Sequence, residues 1–142
     1  MSVGEVLAVV GISVAMLAVS VLGGLVVVPA VLRAAGRTSA GEAARADAQP
    51  SNAPQPDAPD AAAVLRGGTW IGILERLAVT GCLLTGFAPG VAVVVAVKGL
   101  GRYPEIRDNP GVSERFVIGS LASLVWAAAA GLLGLWLNGL VR

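Results

Sequence analysis

Glu75, Arg76, Lys98, Arg102, Glu105, Asp108, Glu114 and Arg115 are the residues whose types and grouping could do chemistry, because each lies inside or beside a stretch that is otherwise free of charge. With Arg107 they make a mixed cluster of five positive and four negative side chains. Four carboxylates among them, on Glu75, Glu105, Asp108 and Glu114, are the raw material for acid-base or metal chemistry. The chain has no histidine, however, so the commonest base and metal ligand is missing. A single cysteine, Cys82, excludes an intramolecular disulfide and a cysteine-based metal cluster. No catalytic, metal-binding or cofactor-binding set is expected from these residues, and an enzyme is not expected.

The elements that carry the cluster follow from composition. Hydrophobic residues make up 56% of the 142, charged residues 13%, and the mean hydropathy is +0.80. A soluble domain needs about twice that charge to coat its surface, so the composition is that of a membrane protein. Ten Lys plus Arg against nine Asp plus Glu leaves no basic excess for phosphate backbones, which argues against nucleic acid. The expected partners are the lipid bilayer, a second copy of the chain, or another membrane protein.

Residues 6–32, 77–97 and 116–141 carry no charge. The first and last would reach roughly 40 Å as helices, ample for a hydrocarbon core of about 30 Å. The first lacks the basic start of a secretory signal and is too long for one, so it reads as a retained span. Gly23-Gly24 and Pro29 could kink it or mark its end. Three regions are expected: an N-terminal transmembrane helix over 1–33, a disordered Ala/Pro/Asp-rich linker over 34–64, and a membrane hairpin plus a last transmembrane helix over 65–142.

The middle stretch has two readings. As one kinked span it places Gly86 and Pro89-Gly90 at the bilayer centre, where unpaired backbone groups are most costly. As a hairpin it uses residues 85–90 as a turn between short arms from about Thr69 to Thr85 and from Pro89 to Arg102. Lysine and arginine then separate the readings: with three spans the ten split four against six, and with four spans nine lie on one side and Arg142 alone on the other. The positive-inside rule favours the second. The expected fold is an all-α membrane protein, a four-helix transmembrane bundle whose middle two helices form a short hairpin, with three spans as the alternative. The N-terminus should be outside, and the linker 34–64 and loop 103–112 cytoplasmic.

Counting outward from a turn near Phe87 and Ala88 brings Glu75 and Lys98 to similar depth, which predicts an ion pair between the arms. Glu75, Val79, Cys82 and Gly86 share one stripe, and Gly90, Val94, Lys98 and Gly101 another. Two other accounts stand beside the pair: the charges reach the headgroups and only fix orientation, or they form an ion or proton site. Residues 102–111 read as a polar turn with Ser113 capping the last helix. Ser123, Ala127 and Gly131 on the last helix, and Gly4, Ala8, Gly11 and Ala15 on the first, are candidate packing faces. Trp70, Tyr103 and Trp136 read as interface anchors, and Trp126 as a packing residue.

Taken in order, Gly68-Thr69-Trp70-Ile71-Gly72-Ile73-Leu74-Glu75-Arg76, Ala96-Val97-Lys98, Arg102-Tyr103-Pro104-Glu105-Ile106-Arg107-Asp108 and the run from Ser113-Glu114-Arg115-Phe116 to Ser123 resemble the C-terminal region of a family of uncharacterised bacterial integral membrane proteins. The resemblance covers about residues 68–124. It implies a bacterial plasma-membrane protein in which Glu75, Arg76, Lys98, Arg102, Glu105, Asp108 and Glu114 are recurring polar positions, and it implies no activity. The leading functional expectation is a non-enzymatic helix bundle acting through protein or lipid contacts; a small oligomeric transporter or channel subunit is the alternative.

Overall fold

The computed structural model describes residues 2–46, 61–108 and 110–141, with side chains described at 2–37, 69–101 and 116–141. All regular structure among the described residues is helical: α1 (Val3–Ala46), α2 (Ala61–Leu84), α3 (Pro89–Asp108) and α4 (Pro110–Val141). The start of α1 is fixed by a capping box. The Ser2 amide donates to Glu5 Oε2 at 2.9 Å and the Glu5 amide to Ser2 Oγ at 3.3 Å, satisfying two donors that the helix itself leaves open.

Four boundaries differ from the sequence expectation. Residues 34–46, assigned above to the linker, continue α1, and Pro29 lies inside that helix without ending it. Ala34, Ala35, Glu42, Ala43, Ala44, Arg45 and Ala46 are strong helix formers, and they outweigh the polar composition on which the linker was drawn. At the linker's other end residues 61–64 belong to α2, which starts well before the expected arm at Thr69, and linker residues 47–60 lie outside the described residues. The stretch 103–108, expected as loop, belongs to α3, and Ser113 lies within α4 rather than at its cap. Pro110 opens α4, where its fixed φ suits a first helical residue.

The bend between α2 and α3 is as tight as the hairpin reading requires. Gly86 takes φ +74°, its amide donates to the Leu83 carbonyl at 3.0 Å, and the Phe87 amide donates to the Cys82 carbonyl at 2.7 Å. Those two bonds are the Schellman closure, which needs a residue in the left-handed region at that position; glycine enters it without Cβ strain. Pro89 then starts α3 as its first residue.

Paired contacts give the topology. Thr80 of α2 touches Ser20 of α1 and Ala127 of α4, whereas Arg76, one turn earlier, meets Gly24 and Ser123. Residue numbers therefore rise together along α2 and α4 and oppositely along α1, so α1 is antiparallel to both. The helix α4 contacts all three others, α2 contacts α1 and α3, and α1 and α3 are not neighbours among the described residues. Over Val3–Arg37 and Phe116–Val141, α1 and α4 are long and apolar enough to cross a membrane; the apolar part of α3, Pro89–Gly101, is shorter.

Candidate functional site

The interior and the surface are inverted relative to a water-soluble bundle. Among the described residues Ser20, Glu75, Arg76, Thr80, Ser123 and Asn138 are buried, together with only Met16, Val79, Ala127 and Ala130 of the hydrophobic ones. Large apolar side chains such as Leu22, Leu74, Val97, Leu121 and Leu140 face outward on all four helices.

The buried polar groups lie in tiers along the seam of α1, α2 and α4. Near the start of α1, Asn138 Nδ2 donates to Ser13 Oγ at 3.1 Å, and the Ser13 hydroxyl donates to the Val9 carbonyl at 2.8 Å. In the middle, Thr80 Oγ1 lies 2.7 Å from Ser20 Oγ and 3.1 Å from the Ala127 carbonyl. A threonine hydroxyl has one proton, so it can serve both only by donating to the carbonyl and accepting from serine. Trp126 stacks over Gly23, where any Cβ would collide with the indole ring, and its Nε1 donates to the Ser20 carbonyl at 3.1 Å. Gly131 and Gly134 of α4 admit Leu83 and Leu84 in the same way, and a Cβ at Gly131 would also lie 3.3 Å from the Thr80 backbone.

The charged tier comes next. Glu75 is 9% exposed and pairs through Oε2 with Lys98 of α3, so the contact expected from counting outward along the hairpin is present. Lys98 Nζ also lies 5.8 Å from the centre of the Phe116 ring on α4, within cation-π range. The lysine thus ties α3 to both of its neighbours. Higher in the hairpin the two small-residue stripes meet again, where a Cβ at Gly90 would strike Cys82 Sγ and the Phe87 ring.

Arg76 is 4% exposed. Its stem fills the space left by Gly24 of α1, where any Cβ would collide with Cδ, and its Nη1 donates to Ser123 Oγ at 3.4 Å. Its Nε, Glu75 Oε1 and Asn138 Oδ1 are sealed without a hydrogen-bond partner. Arg33 lies nine positions beyond Gly24 on α1, so Arg76 sits roughly 13 Å, measured along the bundle, from the nearest charge on that helix.

Of the eight residues singled out by the sequence, the structure brings Glu75, Arg76 and Lys98 into one tier. The side chains of Arg102, Glu105, Asp108, Glu114 and Arg115 lie outside the described residues, as does that of Tyr103. Among the described residues no three acidic or cysteine side chains converge as metal ligands would. The face Ser123-Ala127-Gly131 packs inward, but the α1 face through Gly4 and Gly11 points outward with no neighbour within 4 Å at Gly11. The seam on α1 is instead Ser13, Met16, Ser20, Gly23 and Gly24. Sequence reading missed it, although Ser13 and Ser20 stand two turns apart in the charge-free stretch 6–32 of α1 and Asn138 is the one amide in α4. No known protein family matches the chain, and no curated protein or solved structure is similar to it.

Proposed function

We propose that the chain is a multi-pass integral membrane protein of the bacterial plasma membrane, crossing four times, which acts as a non-enzymatic helix bundle through lipid or protein contacts. The observation that carries this reading is the inversion itself: polar and charged groups occupy the helix seam while large apolar side chains coat the outside. That is the stable arrangement only where the surrounding solvent is hydrocarbon. Arg33, Arg37, Arg76, Lys98, Arg102 and Arg115 lie toward the opposite ends of their helices from the Gly86 bend, and the positive-inside rule then supports a cytoplasmic linker end and an outside N-terminus. Membranes from an expressing strain washed at alkaline pH should retain the chain; release into the wash overturns the assignment. Co-purification from native membranes in a mild detergent then identifies the contact, and a chain recovered with neither a protein partner nor tightly held lipid speaks against the functional half of the proposal.

A second reading, a small oligomeric transporter or channel subunit, is favoured by one observation. Glu75 keeps a carboxylate oxygen without a partner inside the apolar layer, the usual mark of an ion or proton site. Proton or cation flux in proteoliposomes that disappears in Glu75→Gln supports it, and flux that is absent or unchanged removes it.

A further inference from the structure

The charged tier does not balance. Among the described side chains it holds two cations and one carboxylate, and the carboxylate is engaged by Lys98. Arg76 is left with a serine hydroxyl at 3.4 Å and a sealed Nε that has no acceptor. A lysine in that position could shed its proton, but a guanidinium cannot. A cation in an apolar interior whose one carboxylate neighbour, Glu75, is shared with a second cation is among the costlier arrangements available to a protein. The fold nevertheless makes room for it, since Gly24 lacks the Cβ that would displace the arginine stem.

We infer that Arg76 binds a phosphate-bearing anion, either a phospholipid headgroup of the inner leaflet or free phosphate, at the seam of α1, α2 and α4. The inference rests on the membrane reading above and deepens it by naming the lipid chemistry. Direction and depth support it. Helical side chains lean toward the start of their helix, and the two terminal nitrogens of Arg76 lie beside Gly72, one turn nearer the start of α2, each 3.7 Å from where a Cβ would stand. Ser20 and Ala127 lie near the midpoints of the apolar stretches 6–32 and 116–141, Thr80 is level with both, and eight residues from Thr80 to Gly72 carry the guanidinium roughly 12 Å toward the cytoplasmic end. That is about 3 Å short of the hydrocarbon boundary of a bilayer whose core is about 30 Å thick. Lipid phosphates lie just beyond that boundary, and local thinning brings them to such arginines. The planar fork of donors matches a phosphate diester in geometry as well as charge.

The test uses the full chain in maltoside micelles, with phosphatidylglycerol, phosphatidylcholine and inorganic phosphate as separate probes at matched ionic strength. Binding is read from the rise in melting temperature and from lipid retained in native mass spectra. Phosphatidylglycerol should stabilise the wild-type chain saturably and phosphatidylcholine should not. Arg76→Gln should weaken that binding about tenfold, as loss of a charged hydrogen-bond partner does, while Arg33→Gln leaves it unchanged. Stabilisation by inorganic phosphate that depends on Arg76, without an effect of phosphatidylglycerol, supports the site and assigns it to a soluble anion. Should Arg76→Gln not fold, Arg76→Lys keeps the charge, loses the fork, and is expected to bind measurably less tightly. A wild-type chain indifferent to both phosphates, or stabilised equally by phosphatidylcholine, overturns the inference; so does a variant that binds like the wild type. A chain that fails here yet resists alkaline extraction loses the anion site and keeps its membrane assignment.

Discussion

The helices α1, α2 and α4 meet across glycines and small polar residues, with Trp126 seated on Gly23, Arg76 on Gly24 and Thr80 between Ser20 and the Ala127 carbonyl. By contrast, α3 touches the bundle at Gly90 and through Lys98, while Val93, Val95, Val97 and Leu100 face outward, the last 76% exposed. Under the membrane reading proposed above, the difference shows two ways of joining helices where apolar surface gains nothing by being covered. Close backbone approach gives many weak dispersion contacts and small hydrogen bonds. A single ion pair gives one strong contact, whose loss leaves a charge stranded. The first region should therefore fail gradually with substitution and the second abruptly.

The largest expected effect lies in the second region. Lys98→Met leaves Glu75 buried without its partner and should cost about 3–5 kcal/mol of stability, read by detergent-titrated unfolding in mixed micelles. The double variant Glu75→Gln with Lys98→Met should recover much of that loss; strict additivity would contradict the pairing. Next comes Gly23→Ala, which drives a methyl into the rigid Trp126 indole and should cost about 1–3 kcal/mol, with a shift in tryptophan emission. Gly86→Ala places a Cβ in the left-handed region and should cost about 1–2 kcal/mol. The smallest effect belongs to Gly99→Ala on α3, where nothing lies within 4 Å. Its added helix propensity of up to about 1 kcal/mol should leave stability unchanged or slightly raised. An alanine at position 99 as damaging as one at 23 would erase the contrast between the regions.

How much of this was legible in the sequence depends on the kind of signal. The Glu75–Lys98 contact could be read because a tight bend fixes the register of both arms, and Gly86 and Pro89 mark that bend by their backbone chemistry. The length of α1 was misread because residues 34–46 are polar in composition yet helical in propensity. The seam of Ser13, Ser20, Thr80 and Asn138 left no amphipathic pattern: hydroxyls scattered through helices that are apolar all round scarcely alter their periodicity. The match of Arg76 to Gly24 joins residues on two helices, and sequence spacing holds no trace of such a pairing.

The claim on which the rest depends is that the chain turns back at Gly86 after crossing the membrane, and sided labelling tests it directly. In a Cys82→Ser background, single cysteines at Ala88 and Glu105 are exposed in turn to a membrane-impermeant maleimide in intact cells and in inverted vesicles. The account predicts that Ala88→Cys labels in intact cells and Glu105→Cys in inverted vesicles. Labelling of both from the same face, or of Glu105→Cys in intact cells, would contradict it.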